Sequence, residues 1–468
     1  MIAGGRYCSG DDAMRVFAAG NADALTVEVT WPGGRQSVLR DVKPNSLVEV
    51  DQAGAQPRRA DPKPPEAPPP LFTDVSAKLG RTHFSEAFDD FARQPLLPHK
   101  LSTGGPGVVW ADMDGDGRDD LIVGGGKAGR TVVFRNDAHG GFTEQADAPL
   151  PKNNPRAQTG LAAWHEAEGG LRLLTGISNW EDGATNATAA QVFDLRTRTT
   201  VNLPGFGAVA GPVALADVDG DGDLDLFVGG RAIAGRWPEA APSRLYRNGG
   251  GTFAPMQEFP ALGLVNSVVF TDVNGDGRSD LVLACEWGPV RVFRYEGGRL
   301  TEVTEQLGLS KLTGWWTGVA AGDFDGDGRM DIVAGNWGRN DGLAERGATG
   351  AELWSGDFAG DGHIVPLLAA TDLASGQMMA LRERKAVAEA LPWVAVAFPT
   401  HRAYGRASAE ALLGRHAAQA RRLKATTLET TLFLNRGDRF EAHPLPVAAQ
   451  MAPAFGVCVA DFDGDGAE

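Results

Sequence analysis

The stretch DFDGDGRMD at Asp323–Asp331 decides the fold, because close copies of it recur along the chain. The copies read DMDGDGRDD at Asp112–Asp120, DVDGDGDLD at Asp217–Asp225, DVNGDGRSD at Asp272–Asp280 and, where the chain stops, DFDGDGAE from Asp461. A short apolar run follows each full copy, as Ile332-Val-Ala does here, and such runs are typical of buried strands. The repeat therefore predicts a succession of similar β units and argues against helical EF-hands.

Alternating acidic side chains in one tight loop indicate a calcium site. Calcium takes roughly 6–8 oxygen ligands. Positions 1, 3, 5 and 9 of the repeat offer carboxylates or an amide, and position 7 offers its backbone carbonyl. Glycines at positions 4 and 6 permit the positive φ of a tight turn. The alternative is a set of Asp-Gly turns without an ion, but crowded carboxylates repel one another without a cation, so the recurrence favours calcium.

The predicted ligands share these positions in four full loops and in the start of a fifth. They are Asp112, Asp114, Asp116, Arg118 and Asp120; Asp217, Asp219, Asp221, Asp223 and Asp225; Asp272, Asn274, Asp276, Arg278 and Asp280; Asp323, Asp325, Asp327, Arg329 and Asp331; and Asp461, Asp463 and Asp465. Four to five structural calcium ions are expected on this basis. The degenerate copy at Asp357–Asp361 lacks acids at positions 3 and 9, so we expect it to bind calcium weakly or not at all.

The spacing of the loops predicts the architecture. Each unit holds about four short strands in about 50 residues, which is the pattern of a propeller blade. A copy without the acids, Gly160–Trp164 followed by Leu171–Ile177, fills the gap after the first loop. Starts near residues 112, 164, 217, 272, 323, 357 and 461 predict an all-β, seven-bladed β-propeller whose last blade is truncated. A parallel β-helix is the alternative, but its repeats would be shorter and contiguous.

Other segments flank or interrupt the repeats. Residues 1–52 predict a small β module with strands within Ala24–Trp31, Gln36–Leu39 and Leu47–Val50. Residues 53–70 are rich in proline and predict a semi-rigid linker. The propeller is expected to occupy residues 71–468.

An insertion at about 376–425 interrupts the β pattern of the repeats. It predicts helices at Arg382–Glu389 and Ala407–Lys424. Between residues 381 and 424 there are nine Lys or Arg and three Glu, a local charge of +6. The insertion is either a solvated helical element or a site for an anionic partner.

Composition narrows the classes of function. The net charge is −16 and its acidity is concentrated in the loops, which argues against nucleic-acid binding. The sequence has no apolar run of membrane-spanning length. The N-terminal residues do not read as a signal peptide, and because they begin inside the β module, the N-terminus is expected to be truncated.

The repeats resemble FG-GAP/VCBS propeller proteins of the integrin α-subunit type, and more narrowly the cartilage acidic protein family. The resemblance rests on Leu71–Gly80, Gln94–Ser102, the Asp loops and Leu353–Gly362. The stretch Val27–Gly34 with Asn45–Glu49 is similar to part of an ASPIC/UnbV module. The resemblance implies an extracellular or cell-surface protein whose calcium stiffens the blades, and which binds protein or glycan ligands without catalysing a reaction.

An enzyme is the alternative function. No HExxH, GxSxG, Walker or CxxC motif occurs, but some polysaccharide lyases are similar calcium-bearing propellers.

Alignment of the repeats also places five residues at the end of the second strand away from the loops. The hypothesis is that Trp180, Arg231, Trp287, Asn336 and Trp337 ring a surface for a glycan or protein. The competing interpretation is that the tryptophans pack between neighbouring blades.

Overall fold

The computed structural model of this chain describes residues 16–17, 20–57, 72–146, 148, 150–166, 170–340, 343 and 350–462. The chain divides into two compact units, Met1–Asp74 and Val75–Glu468. Most of the predicted linker lies outside the described residues. The predicted ligands Asp463 and Asp465 lie wholly outside them. None of the helices in the described part has the length and apolar character of a membrane-spanning segment.

The first unit contains a three-stranded antiparallel sheet in the order β1-β2-β3. Its strands are β1 (Leu25–Thr30), β2 (Arg35–Val42) and β3 (Gln56–Pro57), with a 3₁₀ turn at Gln52–Gly54. The predicted strand Leu47–Val50 is wrong. The chain turns at Asn45, where φ is 58°, and returns to β2 only at Gln56, which pairs with Gln36.

The second unit is built from five four-stranded antiparallel repeat sheets, numbered here in chain order. A 3₁₀ turn at Ser76–Leu79 and α1 (Asp90–Arg93) precede them. Sheet 1 holds β4 (Val108–Ala111), β5 (Asp120–Val123), β6 (Val132–Asn136) and β7 (Phe142–Glu144); sheet 2 holds β8 (Gln158–His165), β9 (Leu171–Ile177), β10 (Ala190–Asp194) and β11 (Thr199–Leu203).

Sheets 3 and 4 share one long strand. Its first part pairs with the third strand of sheet 3, and its last part pairs with the second strand of sheet 4. The strands are β12 (Val209–Ala216), β13 (Asp225–Ala232), β14 (Ala241–Gly249), the shared β15 (Thr252–Thr271), β16 (Asp280–Gly288), β17 (Arg291–Glu296) and β18 (Arg299–Glu302); the short β19 (Gly314–Trp315) pairs with β16.

Sheet 5 is interrupted by an inserted sheet with its own helices. Between the second and third strands of sheet 5, the chain forms a further four-stranded sheet in the order β24-β23-β22-β25. The elements are β20 (Gly318–Gly322), β21 (Asp331–Gly335), β22 (Ala351–Gly356), β23 (Val365–Thr371), β24 (Met378–Ala380), α2 (Arg384–Ala390), α3 (Trp393–Ala397), α4 (His401–Tyr404), α5 (Ala409–Leu413), 3₁₀ turns at Gly414–Gln419 and Val447–Gln450, β25 (Arg421–Ala425), β26 (Thr431–Asn435) and β27 (Phe440–Pro444).

Successive repeat sheets pack face to face through apolar residues. In β13, Leu226 and Val228 pack with residues of sheet 2, whereas Phe227 packs with residues of sheet 4. Alternate side chains of a strand point to opposite faces, so a continuous apolar run is the sequence of a strand buried on both sides. This face-to-face succession is the arrangement expected of propeller blades. No closed sheet is seen among the described residues, and the count of seven blades, which included the unit at Asp357, is not confirmed.

Two sequence predictions about the insertion are wrong. The unit at Asp357 does not follow sheet 5 as the next blade, because β25 returns to pair with β22 and completes a separate sheet. The predicted helix Ala407–Lys424 ends earlier than expected. Its last residues form β25, because they pair through their backbone with β22. The Arg422 guanidinium, which lies 3.6 Å from the centre of the Trp354 ring, also favours an extended chain.

Candidate metal centres

The first aspartate of each full loop builds the turn. In the Asp217 loop, its carboxylate accepts hydrogen bonds from the backbone N–H groups of Gly220, Asp221 and Gly222, at 2.7, 3.1 and 2.9 Å. Gly220 and Gly222 have φ of 80° and 93°, a region that glycine enters without strain. The loops that begin at Asp112 and Asp272 repeat the same three bonds. The repeat therefore specifies the turn as well as the charges.

The ninth aspartate ties the loop to its sheet. Asp225 is fully buried, and its carboxylate accepts from Val218 N at 3.2 Å and from Asn248 N in the third strand at 2.9 Å. The equivalent Asp120, Asp280 and Asp331 are also buried and accept the same pair of bonds. A change at position 9 therefore disturbs both the loop and the strand pairing.

Burial alters the protonation of the ninth position. It raises the pKa of Asp280 to about 6, although the Tyr295 and Val273 N–H groups act in the opposite direction. Burial also raises the pKa values of Asp225 and Asp331. The first position behaves differently in the Asp112 loop, where the Gly117 N–H is the largest of several effects that lower the pKa of Asp112.

Three of the loops bring carboxylates close enough to surround a cation. Ligand oxygens of positions 1, 3 and 9 lie within 4.8 Å of one another in three clusters, namely Asp112, Asp114 and Asp120; Asp217, Asp219 and Asp225; and Asp323, Asp325 and Asp331. Ligands on opposite sides of a calcium ion are about 4.8 Å apart, since each Ca–O distance is about 2.4 Å. The spacing and the all-oxygen donor set therefore fit calcium.

The remaining predicted ligands are less uniform. The Asp272 loop has Asn274 at position 3, and its amide donates to Asp276 at 3.0 Å. The position-7 residues Arg118, Asp223, Arg278 and Arg329 donate their backbone N–H to the position-5 carboxylate. The degenerate loop keeps the turn, since Asp357 accepts from Gly360 and Gly362, but it has Ala359 and Val365 at positions 3 and 9. Asp461 lies at the edge of the described chain and is exposed.

Sequence reasoning missed a set of arginines that contact the loops. Arg247 lies 2.8 Å from Asp219 and 2.8 Å from Asp221. Arg436 lies 2.5 Å from Asp325, and Arg135 contacts Asp114. Arg118 and Arg329, predicted only as carbonyl ligands, also place their guanidinium groups on the position-5 carboxylates Asp116 and Asp327. The available signal was the Arg-Asn pair that follows an apolar residue in the third strands of sheets 1 and 3.

The predicted ligand face lies at the opposite end of the repeat sheets and is mostly buried. Trp180 and Asn336 have no exposed surface and Trp287 keeps 4 %; Arg231 and Trp337 are partly buried. The three tryptophans lie beside residues of the inserted sheet in one apolar cluster. This burial favours a packing role for the tryptophans, and the ligand-face hypothesis stays a prediction.

Specific contacts fix the predicted face. The Trp180 indole donates to Asp90 at 2.7 Å, and Trp337 stacks on Trp315 with ring centres 4.2 Å apart. The backbone of Trp287 has φ of 56°, a region that costs about 1–3 kcal/mol for a residue other than glycine. Surrounding packing has to hold Trp287 in this conformation.

His99, Arg231 and Glu286 form a central polar cluster among these tryptophans. Glu286 is 3 % exposed, and its carboxylate lies 3.8 Å from His99 Nε2. Burial raises the pKa of Glu286 to about 7, and Arg231 opposes this rise. Burial and Arg231 lower the pKa of His99 to about 3. Sequence reasoning did not predict this pair, because His99 lies in a stretch that indicates the family but no chemistry, and Glu286 belongs to no recognisable motif.

Comparisons with known proteins agree with the resemblance drawn from the motifs. Residues 272–334 match the FG-GAP-like repeat family, and residues 1–57 match the ASPIC and UnbV family. The two matches cover one repeat and the N-terminal segment, and they confirm the resemblance that the motifs indicated.

Curated relatives point in the same direction. The chain is 25% identical to "Cartilage acidic protein 1" of Mus musculus over 232 residues and 25% identical to that of Xenopus tropicalis over 250 residues. Each match covers 49% of this chain and 31% of the relative. The chain thus spans about a third of the length of these relatives.

Two matches to solved structures have low TM-scores. One is a protein from Desulfotomaculum acetoxidans DSM 771 that is described as functionally unknown. Its TM-score is 0.32 at 11% identity, and the match covers 56% of this chain and 65% of that one. Another is BBS1N in complex with ARL6DN, with a TM-score of 0.30 and 16% identity, covering 48% of this chain and 56% of that one.

Proposed function

We propose that this chain is a calcium-stabilised β-propeller that serves as an extracellular or cell-surface binding module for protein or glycan ligands. The observation that carries the proposal is the recurrence of one carboxylate cluster at the same place in sheets 1, 3 and 5. In each cluster, the buried ninth aspartate also accepts a hydrogen bond from the third strand. An ion held there would fix the loop and the sheet together.

Calcium in this proposal is structural. A reaction requires one metal site beside a substrate, whereas these loops repeat on successive sheets. Four to five ions would be bound, with the Asp272 loop using Asn274 as an amide ligand and the Asp461 loop as the fifth. The similarity to cartilage acidic proteins supports the extracellular assignment.

The binding role is tested by separating calcium from ligand. We expect the purified chain in millimolar calcium to retain ligands from a glycan array or an extracellular protein panel, and to lose them when chelation loosens the fold. The variant Asp219→Asn tests one site, and Asp357→Asn in the degenerate loop is its matched control. Retention of ligand with no calcium bound at any loop would overturn the proposed role of the ion.

A polysaccharide-cleaving enzyme is the second candidate. The observation in its favour is the central polar cluster, where His99 lies beside Glu286 and Arg231. The side chain of His99 is 25% exposed whereas that of Glu286 is 1% exposed, so a substrate would have to displace neighbouring residues. Release of unsaturated oligosaccharides by the chain, abolished in His99→Ala, would establish the enzyme. If no polysaccharide in a panel is cleaved, this second candidate is rejected and the binding module is retained.

A further inference from the structure

The inserted sheet carries a run of positive charge on a protein that is strongly acidic. Residues 414–425 read GRHAAQARRLKA and contain four Lys or Arg and no acid, whereas the whole chain has a net charge of −16. The run forms the 3₁₀ turn Gly414–Gln419 and the strand β25. Arg415, Arg421, Arg422 and Lys424, which we call the basic strip, are all exposed.

The basic strip has no acidic partner within 4.0 Å in the part of the chain that the structure describes. Arg236, by contrast, lies 2.6 Å from Glu239, whereas the exposed Arg198 and Arg299 resemble the strip in having no ion-pair partner among the described residues. The nearest acid by strand pairing is Glu352, opposite Lys424, and Glu352 accepts a hydrogen bond from the Trp354 indole at 3.1 Å. The charge of the strip is therefore left largely uncompensated.

Aromatic contacts hold two of the four basic side chains in place. The Arg422 guanidinium lies 3.6 Å from the centre of the Trp354 ring. Arg415 donates to His416 at 3.3 Å, and His416 stacks on Trp393 with ring centres 4.8 Å apart. Side chains fixed before binding lose less conformational freedom when a ligand arrives. This order distinguishes the strip from freely moving surface lysines.

The strip lies along the edge of its sheet. β25 is the terminal strand and pairs only with β22 in that sheet. Arg422 and Lys424 project from the same face, about 7 Å apart, because alternate residues of a strand share a face. Apolar side chains are turned inward, since Ala417 and Ala425 are buried. Arg421 projects from the other face, so the strip presents its charges along the strand edge without the apolar anchor that protein–protein interfaces use.

We propose that the basic strip binds a linear anionic polysaccharide. A polymer with repeated sulfate or carboxylate groups can contact several basic side chains at once and needs no deep pocket. Arginine suits oxyanions because its fork of donors matches their geometry. We choose a polysaccharide over a nucleic acid because of the proposed extracellular binding function. The position of the strip does not depend on that proposal.

The test compares immobilised polymers in millimolar calcium. Heparin supplies sulfates, hyaluronan supplies carboxylates only, and polyglutamate represents an acidic protein segment. The triple variant Arg415→Glu, Arg421→Glu and Lys424→Glu leaves Arg422 on Trp354, so the core of the insertion stays packed. The control variant Lys152→Glu, Arg198→Glu and Arg299→Glu makes the same change in net charge at exposed positions outside the inserted sheet.

We expect the parent chain to bind heparin, hyaluronan or both at low salt, and the triple variant to bind roughly tenfold more weakly or worse. The control should stay within about twofold of the parent. The neutral variant Arg415→Gln, Arg421→Gln and Lys424→Gln, with an unchanged unfolding midpoint, checks that weaker binding does not come from misfolding.

Three outcomes would overturn the proposal: no polysaccharide binding at low salt, an equal loss in the control, or binding of polyglutamate alone. A calcium-dependent unfolding midpoint together with any of these would leave the proposed structural role of calcium intact. The two proposals can therefore fail separately.

Discussion

Charged side chains are exposed to solvent at one end of the repeat sheets and enclosed at the other. At the loop end, carboxylates such as Asp217 and Asp219 reach solvent and lie around a point where a cation can bind. At the opposite end, Glu286 is enclosed by tryptophans and residues of the inserted sheet cover the area. In β13, for example, Asp225 belongs to a carboxylate cluster at one end of the strand, and Arg231 lies near the sealed end. Cation binding is therefore expected at the loop end alone, whereas buried side chains at both ends contribute to stability.

The largest expected effect is at the sealed end. Trp287→Ala should lower the free energy of unfolding by about 3–5 kcal/mol, because it empties a buried site between Trp315 and its neighbours. Urea denaturation in saturating calcium measures this loss. The half-exposed Trp337→Ala is the comparison and should cost clearly less. A Trp287→Ala chain that unfolds like the parent would show that this end is open to solvent.

The ninth aspartate should give the next largest loss. Asp225→Ala leaves the N–H groups of Val218 and Asn248 without their acceptor, which should cost about 3 kcal/mol. Asp357→Ala removes only a local turn and should cost about 1 kcal/mol. Chemical denaturation of both variants without calcium isolates the hydrogen bonds from the ion. Equal losses would mean that the ninth position has no special structural role.

Sequence predicted the loop end far better than the opposite end. The turn, the ligands and the following strand all lie within nine to twelve consecutive residues, so Asp217–Val228 can be interpreted locally. The third-strand partner of Asp225 is Asn248, 23 positions away. This contact becomes visible only when the strands of the sheet are paired.

The opposite end depends on contacts between distant segments. His99 meets Glu286 through folding alone. The insertion was misjudged because the helix pattern of residues 407–424 could not show that Arg421–Ala425 would pair with β22.

A pH-dependent contribution is expected from the sealed end. The pKa of Glu286 is raised from 4.5 to about 7, so between these values the folded state holds a proton that the unfolded state has released. Stability from this group should therefore fall as pH rises through that window. Burial lowers the pKa of the neighbouring His99 from 6.5 to about 3, and this group gives the opposite trend, because between these values the unfolded state holds the extra proton. Glu286→Gln should therefore remove the fall and leave the rise that His99 causes, whereas the exposed Glu296→Gln should leave the dependence unchanged. Saturating calcium keeps Asp280, whose pKa is also raised, from adding the same trend.

The smallest effect concerns the arginines at the loop end. Arg247 contacts Asp219 and Asp221, so Arg247→Gln should leave that site more negative and strengthen calcium binding by roughly 2- to 5-fold, the size expected of an exposed ion pair. Calorimetric titration measures the change. Arg439→Gln, which removes a pair with Asp438 outside the full loops, is the control. Weaker calcium binding in Arg247→Gln would mean that Arg247 orients the carboxylates.

The most direct measurement is thermal unfolding of the chain with chelator and with calcium raised to the millimolar range, where extracellular calcium modules bind, at about 10⁻⁴–10⁻³ M. The account predicts that the midpoint rises with calcium, and that the rise shrinks when Asp112, Asp217 and Asp323 are replaced together by Asn. An identical midpoint in chelator and in calcium would contradict the claim that these loops are calcium sites that hold the repeat sheets in shape.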